Sequence, residues 1–258
     1  LTLKVGVEMA NIYPEYGLIV NRLNEMGINY KGNYCYRMYE ARKAGKVFTI
    51  REHIKAMVYA LLSAQKPWVQ VEPKLSEVDK IFRDYDPEYL KNEDPQVFIN
   101  KICAINCGNK AIVRQMQGIK HNVEVLEEVD RVSGDIDAFV DYFTPLDVSD
   151  LLSKGRCKLD GFAQTLALQY LKNVGISTCK PDVHIKRILT RLGYIPYEDS
   201  EIWYIVNTVG RIACEYDVPD IEVNEALWYY CATGYGEICA ATPNCTMCNI
   251  LTCKGRRK

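Results

Sequence analysis

Apolar positions along the chain recur mainly at helical spacing. In IKAMVYALLSAQ, the residues Ile54, Met57, Val58, Leu61 and Leu62 fall at i, i+3, i+4, i+7 and i+8, the stripe of a packed helix. The pattern continues over 68–82 through Val71, Leu75, Val78 and Phe82, which predicts a second helix. Segments 102–116 and 121–132 read as two more. A further stripe, Ile185, Ile188, Leu189 and Leu192, is closed by Gly193, a residue suited to ending a helix. Segments 198–216 and 223–232 complete the set. Alternating strand patterns are scarce, because VFTI and WVQV are too short to seed a sheet. The expectation is an all-α fold of many short helices, without internal repeats or low-complexity segments. The N-terminal 45 residues, rich in Tyr, Asn and Gly, read as capping helices and not as a separate domain.

Composition sets the scale. With 258 residues, 48% of them apolar, the chain can bury a sizeable core as one large domain or two lobes. No run of 18 apolar residues occurs, and the first residues lack a signal-peptide core. The expected setting is cytoplasmic or nucleoid-associated, with no membrane partner. The net charge of −1 says little about partners, but its distribution does. Over 151–192, eight Lys and Arg face two acids, Asp160 and Asp182, so this segment carries +6 and the remainder −7. A local excess of one sign is what binds a polyanion, although a solvated helical face gives the same composition.

The chain has eleven cysteines, an odd number with no export signal, which argues against a disulfide framework. Four of them form the series Cys239-x5-Cys245-x2-Cys248-x4-Cys253. Thiolates this close can enclose one tetrahedral zinc or a cubane cluster, since both take closed sulfur ligation. Structural zinc often uses two C-x2-C pairs and only one is present, which leans towards iron–sulfur. The basic tail Lys254, Arg256, Arg257 and Lys258 would then be presented to a polyanion, or would simply be solvated.

Two features of the basic segment carry chemistry. Gly161-Phe162-Ala163 precedes a stripe of Phe162, Leu166, Ala167, Tyr170 and Leu171. Small residues there leave the first helical amides uncovered, and such amides bind phosphate without a cation. Asp182 follows Pro181 at the next helix start, where an aspartate ordinarily caps free amides. Behind a phosphate-binding turn, the same carboxylate would face the sugar of a bound nucleotide. There it could oppose the positive charge that develops as a base leaves deoxyribose, or activate the attacking water. That reaction needs the base flipped out of the stack.

Segment 159–192 resembles the helix-hairpin-helix and Gly/Pro…Asp motif of the endonuclease III and MutY superfamily of DNA glycosylases. The family hairpin L-x-G-(F/V)-G-x-K-x-A is matched by Leu159-Asp160-Gly161-Phe162-Ala163-Gln164-Thr165-Leu166-Ala167, followed by Leu171-Lys172-Asn173-Val174-Gly175. The family's V-D-x-H-(V/I)-x-R is matched by Pro181-Asp182-Val183-His184-Ile185-Lys186-Arg187, and L-L-S-x-Q by Leu61-Leu62-Ser63-Ala64-Gln65. The C-terminal cysteines resemble the family's C-x6-C-x2-C-x5-C, with two loops one residue shorter.

The resemblance implies a two-lobe helical glycosylase fold. A six-helix barrel over 50–175 would contain the hairpin, and 1–49 with 176–258 would form an iron–sulfur lobe. It implies a monomer that acts on double-stranded DNA containing a damaged or mismatched base. Asp182 would be the catalytic carboxylate, with His184 packing behind it. Phosphates would meet Gly161, Ala163 and Thr165, helped by Lys158, Lys172, Lys186 and Arg187. Gln65 would lie near the intercalated strand, with Thr165, Tyr59 and Trp68 (Tyr170 is a further aromatic candidate) around the base, although each of these aromatics is as a rule more often core. Cys239, Cys245, Cys248 and Cys253 would hold a 4Fe–4S cluster, with one structural zinc as the alternative, and Trp228, Tyr229 and Tyr230 would anchor that module.

Two departures bear on mechanism. Ala163 replaces the second hairpin glycine, which would preserve the turn while crowding a phosphate. Thr165 stands at the position of the family's imine-forming lysine, which implies a monofunctional enzyme that removes a base with water. Lys158 and Lys66 are substitute amines for a bifunctional alternative. A non-catalytic DNA-binding protein, with Asp182 only a cap, and an RNA-binding or redox role for the cluster are the remaining alternatives.

Overall fold

The computed structural model describes residues 11–256, which form fourteen α-helices. They are α1 (Pro14–Glu25), α2 (Tyr34–Lys43), α3 (Ile50–Leu62), α4 (Leu75–Ile81), α5 (Pro87–Asn92), α6 (Pro95–Ala104) and α7 (Ile112–Gln117). These are followed by α8 (Ile119–Ser133), α9 (Ile136–Tyr142), α10 (Pro145–Ser153), α11 (Gln164–Asn173), α12 (Val183–Leu192), α13 (Ile202–Tyr216) and α14 (Asp220–Cys231). No strand occurs among the described residues. Residues 1–10, at the start of the anticipated cluster lobe, and Arg257 and Lys258 of the basic tail lie outside them.

α3 is the central helix of the N-terminal part. Thr49 and Glu52 form a reciprocal capping box at its start, and its residues from Ala56 to Leu62 are all buried. It packs on α8, α9 and α11, while α10 pairs with α11. In the second group, α14 packs on α1, α12 and α13. α2 touches both α11 and α14 and so bridges the groups.

α12 matches its sequence pattern closely. Ile185, Ile188, Leu189 and Leu192 are buried, each worth roughly 1.5–3 kcal/mol relative to exposure. Gly193 ends the helix in the left-handed region at φ 79°, and Tyr194 N–H donates to the Leu189 carbonyl at 2.9 Å. A side chain at 193 would also collide with Lys254, since a Cβ would lie 2.5 Å from its Cδ.

Two predicted helices are broken. Segment 68–82 is two single 3-10 turns, Trp68–Gln70 and Glu72–Lys74, before α4 begins. Pro73 has no N–H to donate and sits at the start of the second turn, which prevents a continuous helix. Segment 102–116 is split between α6 and α7. Asn106 takes φ 53°, and Gly108 lies where a Cβ would be 2.9 Å from Cys103 Sγ, so the chain turns there. The short helices α9 and α10 were not anticipated. Their starts are nonetheless capped, by the side chains of Asp135 and Thr144.

Candidate active site

A cavity of about 690 Å³ opens where α3, α11, α12 and α14 converge. One wall is the turn that follows α3. Near the helix end, the Leu61 carbonyl accepts from the Ala64 N–H at 3.2 Å and from Asn109 Nδ2 and Gln115 Nε2, both at 3.0 Å. This fixes the segment from Ser63 to Trp68, all of which lines the cavity. Gln65 is exposed at φ 53°, which projects it from the turn.

The hairpin is the second wall. Asn122 of α8 is fully buried and holds both backbone groups of Asp160. Its Oδ1 accepts the Asp160 N–H at 2.6 Å, and its Nδ2 donates to the Asp160 carbonyl at 3.1 Å. The chain then turns at Gly161, φ 80°. Ala163 is the exposed N-cap residue of α11, and no side chain caps that helix. Its first-turn amides therefore remain open to an anion, unlike those of α12, which Asp182 covers. Thr165 faces the cavity; Lys158 is exposed on the hairpin loop and lies outside the cavity lining.

Asp182 serves two partners with its two oxygens. Oδ1 accepts from the His184 and Ile185 amides at 2.9 and 3.2 Å, the geometry of a helix cap. Oδ2 accepts from the indole Nε1 of Trp228 at 3.2 Å, and the residue borders the cavity. His184 packs edge-on against Trp228, with ring centroids 5.8 Å apart. Its Nδ1 is buried without a hydrogen-bond partner, and burial holds its pKa below the ordinary histidine value. Lys186, one turn into α12, lines the cavity, and the half-buried Arg187 follows it.

Three placements differ from the sequence reading. Tyr59 is 2% exposed and its hydroxyl donates to Asp79, so it belongs to the core; Tyr34, packed edge-on against it, lines the cavity instead. Tyr170 is likewise buried, with its hydroxyl 2.6 Å from His53 Nδ1. Lys172 borders the deep end of the cavity but is 3% exposed and ion-paired with Glu225 of α14. A cation sealed against a carboxylate is not free to meet a phosphate. Glu225 is held in turn by Asn33 Nδ2 at 2.9 Å and Asn224 Nδ2 at 3.1 Å. Trp68 does line the cavity.

Several cavity residues carry no motif that singles them out: Trp228, Glu225, Tyr34, Cys35 and Lys180. Gln169 Nε2 donates to the Cys35 sulfur at 3.3 Å, and burial pushes the Cys35 thiol up to about 11. Trp228 falls beside Tyr229 and Tyr230 in an aromatic run that reads as an anchor for the cysteine loop. Of the three, Tyr230 does contact that loop, its hydroxyl 3.2 Å from Cys248 Sγ.

The C-terminal end of α12 meets the cysteine loop. Arg191 donates to the Ala240 carbonyl at 2.7 Å, the Ala241 carbonyl at 3.0 Å and Cys239 Sγ at 3.3 Å. Cys239, Cys245, Cys248 and Cys253 all border one small void of about 20 Å³. As placed, no set of three or more His, Cys, Asp or Glu among the described residues converges to hold a single metal ion. A hydrogen bond from Cys231 and the Arg191 guanidinium hold the Cys239 thiol below the usual thiol range, which favours the thiolate a metal group requires. A ten-residue helix thus has the candidate carboxylate at one end and the cysteine loop at the other.

The chain superposes on the Methanocaldococcus jannaschii 8-oxoguanine glycosylase/lyase, solved in complex with a 15mer DNA containing 8-oxoguanine, with a TM-score of 0.57 and 18% identity over 84% of this chain and 96% of that one. No family model and no curated protein matches the sequence.

Proposed function

We propose that the chain is a DNA glycosylase that hydrolyses the N-glycosidic bond of a damaged or mismatched base flipped into the cavity. The observation that carries this reading is the pairing of an Asp182 carboxylate at a large cavity with an uncapped helix start on the adjoining hairpin. At about 690 Å³ the cavity falls within the roughly 300–1,000 Å³ usual for small-molecule sites, ample for one nucleoside. The amides from Ala163 to Thr165 would grip the flipped nucleotide's strand, with Lys158, Lys186 and Arg187 adding charge. Gln65 and Trp68 would meet the opened duplex. Asp182 would oppose the positive charge developing on the sugar, or orient the water that attacks C1′. Thr165 has no amine, so base removal proceeds through water.

The donor set of the C-terminal loop supports a bound 4Fe–4S group on Cys239, Cys245, Cys248 and Cys253. The single C-x2-C pair, where structural zinc often uses two, favours a polynuclear group over one tetrahedral zinc. Bound there, the group would supply folding energy to the loop that Arg191 staples to α12. The protein would act as a monomer, in a cytoplasmic or nucleoid setting, with residues 50–175 as the barrel lobe and 1–49 with 176–258 as the cluster lobe.

The capping bonds of Asp182 Oδ1 favour one second reading, a DNA-binding protein in which that residue only caps its helix. Incubation with a panel of lesion and mismatch duplexes, oxidised purines among them, separates the two. Alkali-labile abasic sites should form with the native chain and vanish with Asp182→Asn, while duplex binding persists. Equal products from both proteins across the panel would overturn the catalytic assignment.

A further inference from the structure

We infer that Lys180 is the amine with which this cavity captures the aldehyde of an abasic deoxyribose, giving the chain a strand-cleaving step at the same site. The inference rests on the glycosylase reading for the identity of the sugar, and it extends that reading to a second reaction.

Four lysines line the cavity: Lys66, Lys172, Lys180 and Lys186. An imine-forming lysine needs a free lone pair and a path to C1′. Lys172 has neither, because its ammonium is sealed against Glu225 and its pKa is raised there. The Lys66 ammonium is turned to the loop between α6 and α7, donating to the Gly108 carbonyl at 3.1 Å and Asn106 at 3.4 Å. Lys186, one turn into α12, makes no hydrogen bond or ion pair among the described residues that would hold its amine in place, and Lys158, on the exposed hairpin loop, does not border the cavity.

Lys180 is placed differently. It lies two residues before Asp182, and its backbone N–H is fixed by Asn224 Oδ1 at 2.8 Å. Asn224 is itself 1% exposed on α14, so the base of the side chain is rigidly held. From there the side chain crosses to the turn after α3, where Nζ donates to Ser63 Oγ at 3.3 Å. Ser63 is a neutral partner, already donating its own proton to the Ala60 carbonyl at 2.8 Å. It holds the amine near Gln65 without the carboxylate that would keep it charged. The groups facing Lys180 are Asp182, Lys172, Cys35 and Glu225; burial and the Lys172 charge outweigh the acids and lower its pKa. A lysine so desolvated reaches the neutral, nucleophilic form more readily than one in water.

The chemistry closes without an added oxidant or reductant. The neutral Nζ adds to C1′ of the ring-opened sugar, and the carbinolamine loses its hydroxyl as water to give an iminium. A proton leaves C2′ to a base at the cavity, for which the Asp182 carboxylate is placed. The C3′–O bond then breaks, and its electron pair departs with the 3′ phosphate. Water hydrolyses the remaining imine, freeing an unsaturated aldehyde on the 3′ end and restoring the amine. The water consumed in that last step balances the one released on condensation.

The test is borohydride reduction of the full-length protein on a duplex carrying one preformed abasic site. The native chain should give a covalent adduct whose modified peptide maps to Lys180. Lys180→Gln and Lys180→Arg should lower the adduct by about a hundredfold or more, since a guanidinium keeps the charge but cannot form the imine. Thermal melts of both variants report whether they are folded. Absence of an adduct with the native chain, mapping to another residue, or undiminished trapping by both variants would overturn the assignment. Because the abasic site is supplied, base removal is bypassed. Trapping without activity on lesion duplexes supports Lys180 and sinks the glycosylase reading alone; base release without trapping does the reverse.

Discussion

The indole N–H of Trp228 is bound to the second carboxylate oxygen of Asp182, the one its own helix does not use. This bond fixes the side chain from across the cavity and joins α12 to α14. A fixed dipole beside a carboxylate costs no reorganisation during reaction, which is where electrostatic catalysis gains. Trp228→Phe keeps an aromatic ring against His184 and deletes only the donor. A hydrogen bond to a charged group contributes about 1.5–3 kcal/mol, so single-turnover base release should slow by about ten- to a hundredfold. Circular dichroism should show the helical content unchanged. A rate equal to that of the native chain would mean Trp228 does not position the carboxylate.

The two roles of Asp182 separate by substitution. Asparagine keeps an acceptor for the His184 and Ile185 amides, whereas alanine removes it. Asp182→Ala should therefore lose about 1 kcal/mol in urea unfolding, with Asp182→Asn close to the native chain. Both should abolish base release. Activity that followed stability across the two variants, and not charge, would assign Asp182 to the helix alone.

Much of this site is legible in the sequence because it is local. A Pro-Asp step ahead of Ile185, Ile188, Leu189 and Leu192 announces both a helix and its cap, and Gly161 announces a turn. What is not local is not legible. Trp228 reaches Asp182 from 46 positions away, and nothing in its own aromatic run distinguishes it from Tyr230 at the cysteine loop. Lys172 reads as a surface cation until Glu225, on another helix, is known to seal it. Tyr59 and Trp68 are both aromatics near the Gln65 turn, yet only Trp68 faces the cavity, because Tyr59 lies on the buried length of α3 and Trp68 on the 3-10 turn beyond Gln65. Pro73, by contrast, stands inside the apolar stripe over 68–82 and is a local signal against one continuous helix; the chain there is two short turns and a helix.

The α3 side of the molecule holds an acid-sensitive network. Asp137 is 3% exposed and accepts from His53, at 3.1 Å, from the Phe48 amide, at 2.9 Å, and from Arg42. Burial alone would raise its pKa, but these donors outweigh burial and hold it below the ordinary carboxylate value. A carboxylate depressed on folding stabilises the protein above its unfolded pKa and loses that contribution as pH falls through the folded one. Melting temperature should therefore drop between about pH 4 and lower values, where the unfolded chain takes up the proton first. Asp137→Asn should be less stable at neutral pH by about 1.5–3 kcal/mol, because it removes a charged acceptor while Arg42 keeps Asp141 and the Val174 carbonyl, and its melting temperature should vary less with acid. Parallel pH profiles for the two proteins would show that Asp137 is not the group responsible.

Thr165 offers the reverse of the Lys180 test, a gain of function at the hairpin. It lies at the second position of α11, half-buried and facing the same cavity as Asp182 and Lys180. A lysine there would extend from a rigid helix start towards the sugar, and the neighbouring open amides already favour an anionic strand beside it. In a Lys180→Gln background, Thr165→Lys should restore borohydride trapping on an abasic duplex, with the adduct now mapping to residue 165. The two amines approach from separate walls of the cavity, the hairpin and the segment before α12. Restored trapping would thus show that one sugar position is within reach of both. If the double variant folds, binds duplex DNA and still gives no adduct, C1′ of the bound sugar does not lie between those walls, and the geometry assigned to Lys180 fails with it.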